Sequence, residues 1–161
     1  MIRYLKILLV VFVGLQGLIY VAANLANWEI ARAAVGGVIA MGERPWYPVA
    51  LVPALEGAAA ATAALCVILT GEFLVGALSL KGALDMFAKR GAPAEAFNAS
   101  KKYAILGCGM ALLVWFGGFT VIGGALFQMW QTELGQGSMG DAHRFLMGSG
   151  VVLLFVAMKD E

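Results

Sequence analysis

The sequence predicts an all-α, polytopic membrane protein built as a four-helix transmembrane bundle. Three observations carry this. Of 161 residues, 61% are hydrophobic and 13% charged, whereas a soluble domain is about 45–50% apolar and about 25% charged. A chain this small has a high ratio of surface to volume, and in water it would need more polar surface than it has. The apolar residues also gather into runs long enough to cross a hydrocarbon core of roughly 30 Å at about 1.5 Å per residue. Finally, the runs are continuous, without the period-two alternation of a β-barrel, the other fold that satisfies its backbone in lipid. The whole chain, residues 1–161, reads as one integral membrane domain with spans at about 5–27, 49–71, 103–127 and 140–158.

The first run extends from Leu5 to Ala26, with Gln16 and Asn24 as its strongly polar members after Lys6. The basic start at Arg3 and Lys6 is similar to a signal peptide, but the run is too long for a signal core and reads as a retained first span. The linker that follows, Glu29 to Tyr47, predicts an amphipathic helix from about Ile30 to Ala40. Pro45 and Pro48 bracket a turn before the second run, Val49 to Thr70, which holds one carboxylate, Glu56. Residues 72–87 carry Lys81 and Asp85 and read as a helical extension of that span or an interfacial helix, with a re-entrant element as the remaining alternative. Asn98 or Ser100 is placed to cap the third span, the uncharged run Tyr103 to Phe127. Gly135 to Ser138 reads as a loop. The fourth run, Phe145 to Met158, spans only if its helix starts near Met139 to Asp141, with Arg144 snorkelling outward.

Charge placement sets an expected topology. Eight of the eleven basic residues fall in the N-terminal segment, the middle linker and the C-terminal segment. The positive-inside rule then puts both termini and the middle linker in the cytoplasm. Trp28, Trp46, Tyr47 and Trp130 stand where belt aromatics anchor a span at the headgroups. Alanines 58–61 and the glycines at 107, 109, 117, 118, 123, 124, 148 and 150 predict close helix packing, with a kink open to the chain near Gly117-Gly118.

The polar residues within the runs are the candidate site. Glu56, if helix two starts near Val49, lies about 10 Å into the span, where a carboxylate is costly and is a candidate to carry a proton, bind a cation or hydrogen-bond a partner helix, with a neutral or paired packing residue as the alternative. Asn24 and Asn27 share a helix face three residues apart, and with Gln128 they are expected near the depth of Glu56. The asparagines alternatively satisfy helix-terminal carbonyls. Trp115, Trp130, Gln131 and Arg144 are candidates for contact with a partner or interface.

Several chemistries are excluded. A net charge of +1 gives no basic surface for nucleic acid. Two cysteines, Cys66 and Cys108, read as small buried hydrophobes and not as a disulfide framework. A single histidine, His143, excludes a bis-histidine haem within the chain, and no metal-binding or nucleotide motif is present. No cofactor is expected within the chain, beyond lipid, or a quinone or haem held by a partner subunit.

From Trp115-Phe116-Gly117-Gly118-Phe119 through Gly123-Gly124 to Met129-Trp130-Gln131, the sequence resembles a bacterial family of small integral membrane proteins, domain of unknown function 2165. The family's third-span motif reads WF-x-GF…GGE-x-F-x-MWQS. Asp141-Ala142-His143-Arg144-Phe145 is similar to its AFRF-like start of the fourth span, with His143 in place of the aromatic residue. Asn24 and Glu56 resemble the family's first-helix asparagine and second-helix acid. Ala125 and Thr132 depart from the family's glutamate and serine. The resemblance implies four spans and a membrane location, and no particular activity.

Small size, small-residue faces and the lack of a catalytic set point to a non-catalytic membrane subunit or accessory protein, not an enzyme. Its expected partners are the bilayer and other membrane subunits or copies of itself. The alternative is a small oligomeric proton- or ion-coupled transporter using Glu56.

Overall fold

The computed structural model describes every residue except Glu43. Six α-helices occur in order: α1 (Ile2–Ala26), α2 (Trp28–Ala40), α3 (Ala58–Ala88), α4 (Ala94–Ser100), α5 (Lys102–Leu112) and α6 (Glu133–Ala157). A π-helical segment, Leu113–Leu126, continues α5, and a 3₁₀ turn, Met129–Gln131, precedes α6. There is no strand among the described residues. Four helical stretches are long and apolar enough to cross a membrane: Ile2–Ala26, Ala58–Ala88, Ala94–Leu126 and Glu133–Ala157. The fold is a four-span bundle.

The first span ends because Asn27 leaves helical geometry (φ −117°, ψ 39°) while its side chain donates to the carbonyl of Ala23 at 2.9 Å. α2 then runs on against the start of α3. It stops at Met41, which takes the left-handed conformation (φ 50°). Leu55 N–H donates to Ile39 O at 2.9 Å and ties the following loop back to α2.

The second span corrects the expected boundaries. Residues 49–57 are not helical, and α3 starts at Ala58 and runs to Ala88. Pro45, Pro48 and Pro53 each lack an N–H and restrict the residue before them. Gly57 then takes φ 93°, which no continuing helix allows. At 31 residues α3 is about 46 Å long, more than one bilayer core. Residues 72–87 are therefore its extension, with the Lys81–Asp85 pair (2.8 Å) exposed near its end.

The long helices approach closely where glycine faces backbone. A Cβ on Gly17 of α1 would lie 2.6 Å from the Glu72 carbonyl of α3. One on Gly82 of α3 would overlap the backbone of Ala104 in α5. Between these contacts lies the core of Val10, Val75, Met86, Cys108, Ala111 and Trp115. Cys66, by contrast, is exposed, so only Cys108 meets the expectation of a buried thiol.

The third span changes pitch at Leu113. Phe127 N–H reaches back five residues to Ile122 O at 2.9 Å, and Thr120 Oγ1 donates to Trp115 O, also five back. Such wide turns are rare in length and frequent at functional sites. Gly117 and Gly118 have open space around them, whereas Gly123 and Gly124 sit against the Met129 and Met139 side chains.

α6 also begins earlier than expected. Thr132 caps it by accepting from Gly135 N–H at 3.0 Å, with Glu133 in its first turn. Capping draws Gly135 to Ser138 into the helix instead of a loop. Asn98 and Ser100 do not cap the third span. Ser100 donates to Phe97 O, and Asn98 turns to Asp160.

Candidate functional site

Each predicted site residue has a definite place, and the four intramembrane candidates do not form one cluster. Glu56 lies in the exposed, non-helical segment ahead of α3, because the prolines and Gly57 delay the helix. The expectation of a carboxylate about 10 Å inside the second span at this position is corrected. The Asn27 side chain turns back on its own helix, donating to Ala23 O. Gln128, left-handed at φ 56°, donates to Val49 O at 3.1 Å.

Asn24 does meet a carboxylate, but it is Glu72. The Asn24 amide donates to Glu72 Oε2 at 3.3 Å. Glu72 is buried at 2% exposure near the middle of α3. A carboxyl buried in an apolar bundle is costly unless hydrogen-bonded or paired, and one amide is the side-chain donor it receives among the described residues. Glu72 lies just beyond the apolar run that ends at Thr70, so the run alone does not point to it. The signal was present: eight uncharged residues, Phe73 to Leu80, follow it.

Beside Asn24 a cleft of about 180 Å³ opens between α1, the π-helical segment and α6. Its rim carries Asn24, Ser138 and Asp141. Its wall is aromatic: Phe145 meets Tyr20 edge-on at 5.0 Å and Trp115 edge-on at 5.3 Å, with Phe119 alongside. Trp115 is buried in the core. Arg144 is exposed and donates to Asp141 Oδ1 at 2.7 Å.

Gln131 and Trp130 hold the loop between α2 and α3. Trp46 and Tyr47 N–H groups donate to Gln131 Oε1 at 2.9 and 2.8 Å, and Gln131 Nε2 returns a bond to Tyr47 O. Trp130 stacks edge-on with Tyr47 at 5.3 Å. The Met129-Trp130-Gln131 motif thus pins the chain that leads to Glu56.

At the opposite end, a second polar centre joins the chain termini. Asp160 Oδ2 accepts from Lys6 Nζ at 2.8 Å and Lys101 Nζ at 2.5 Å, all three side chains being buried. Asn98 closes the network, donating to Asp160 O and accepting from Asp160 N–H and Lys101. Arg3 donates to the carbonyl of Ala92 at 2.7 Å. Burial opposes ionisation of Asp160, but hydrogen bonds from Lys101 and Lys6 outweigh it and hold its carboxyl below the usual carboxylate range. Among the described residues no cluster of three or more His, Cys, Asp or Glu side chains is placed to hold a metal ion.

These features define a small polytopic membrane protein with polar centres near both ends of its bundle. The chain belongs to the family described as predicted small integral membrane protein (DUF2165), whose model matches residues 2–159. No curated protein and no solved structure matches it.

Proposed function

We propose that this protein is a non-catalytic subunit or accessory protein of a larger assembly in the bacterial inner membrane. The observation that carries the reading is the outer face of α6. Gly137, Gly140, Asp141, Arg144 and Gly148 recur there at three- and four-residue spacing, and a Cβ at each of these glycines would meet nothing. Asp141 and Arg144 lie about 12 and 16 Å into the helix with 57% and 78% of their side chains exposed. Lipid solvates such a pair poorly, and a neighbouring helix packs well on small residues beside it.

The termini and the middle linker gather at one end, where Arg3, Lys6, Lys89, Arg90, Lys101 and Lys102 concentrate. The positive-inside rule assigns that end to the cytoplasm. Gentle solubilisation followed by native mass measurement tests the reading. A stable complex containing a second membrane protein is expected, and a lone monomer overturns it.

A second reading, a small ion-coupled carrier, draws support from the buried Asn24–Glu72 pair. In that case Glu72, not Glu56, is the coupling carboxyl. Reconstituted Glu72→Gln protein would then lose coupled flux while Glu56→Gln keeps it.

A further inference from the structure

We propose that the cleft between α1, the π-helical segment and α6 binds a small organic ammonium group. The proposal stands independently of the subunit reading. The cleft is about 180 Å³, below the roughly 300–1,000 Å³ of drug-sized pockets, so it suits a group of few heavy atoms. Three aromatic side chains reach its surface, Tyr20, Phe119 and Phe145, and Trp115 backs them from the core. Ring faces carry negative potential and attract cations, with quaternary ammonium groups as the best-known case.

The one carboxylate among the described lining residues is Asp141, paired on one oxygen with Arg144. Asp141 lines the cleft and gives only Oδ1 to Arg144, leaving Oδ2 without a protein donor among the described residues. Asn24, also on the rim, connects the cleft to the carboxyl of Glu72. Arg144 is not part of the lining. A hard divalent ion fits poorly, since it takes six or more oxygen ligands where this cleft offers few oxygens and several rings. A monocation with an apolar shell uses both the rings and the carboxylate.

The ammonium group has two sources, a soluble amine or the headgroup of a phosphatidylcholine-type lipid. Titration of choline into the full-length protein in maltoside detergent tests the first. Its neutral isostere 3,3-dimethylbutanol separates charge from shape. The second is tested in nanodiscs of mixed phosphatidylcholine and phosphatidylglycerol, by native mass measurement of retained lipid.

Saturable choline binding, with the isostere weaker by roughly tenfold or more, supports a soluble ligand. Selective retention of phosphatidylcholine supports the lipid. In either arm Asp141→Asn weakens binding and Arg144→Gln, which removes the competing cation, strengthens it. Both variants break the same ion pair, so opposite effects separate a charge-reading site from a merely structural role. Equal binding of the isostere, equal weakening by both variants, or binding in neither arm overturns the proposal. A lone monomer in the native mass measurement would overturn the subunit reading and leave this one standing.

Discussion

Asn24 in α1 and Glu72 in α3 share a hydrogen bond of 3.3 Å inside the bundle. Asn24→Leu therefore strips a buried carboxyl of its amide donor, at an expected cost of about 1–3 kcal/mol. Asn24→Leu combined with Glu72→Leu should recover part of that loss, because an apolar pair leaves no group unsatisfied. Thermal unfolding in detergent of the two single variants and the double variant measures this. Additive losses would show that the bond contributes nothing.

Asp160 neutralises two buried ammonium groups at once. Asp160→Ala leaves Lys6 and Lys101 buried and uncompensated, and should cost about 3–5 kcal/mol. Replacing Lys6 by Met should cost less, since Lys101 still satisfies the carboxylate. Chemical denaturation midpoints distinguish the two.

The same carboxyl gives the fold an acid limit. Its pKa is lowered on folding, so its contribution is full above the unfolded value of about 3.9 and is lost as pH falls through the folded value. Stability should drop below about pH 4. Asp160→Asn, less stable at neutral pH, should show a smaller drop over the same interval.

Glycine positions should differ sharply in tolerance. Gly82→Ala drives a methyl group into the Ala104 backbone and should cost about 1–3 kcal/mol. Gly109→Ala meets open space, and helix propensity alone predicts a gain of up to about 1 kcal/mol. Unfolding of both variants under one condition checks the contrast.

Gln131→Leu removes every bond that this side chain makes to the loop at Trp46 and Tyr47. Hydrogen exchange at those two amides should accelerate, while α1, α3 and α6 keep their protection. Unchanged exchange at Trp46 and Tyr47 would show that Trp130 stacking alone holds the loop.

The number of spans was legible because it depends on one quantity, the length of apolar runs, which lipid reads directly. Boundaries were less so. Val49 to Gly57 is as apolar as a helix, and only the backbone chemistry of Pro53 and Gly57 moves the start to Ala58. Gly135 to Ser138 has the composition of a loop, and the Thr132 cap overrides it. The site followed the boundaries. Once the second span shifted, Glu56 left the bundle and Glu72 took its place beside Asn24. The Lys6–Asp160–Lys101 centre was not legible, because no local pattern pairs residues 154 apart in sequence.

That separation has a consequence for how the protein comes into being. Lys6 is made with α1, and its counter-ion, Asp160, only after α6. Until α6 is inserted, Lys6 and Lys101 have no carboxylate between them, and they must remain hydrated at the rim of an unfinished bundle. The ion centre is therefore a closing step in biogenesis: the polar end locks only when all four spans are present, so a partial bundle lacks the contact that would make it persist.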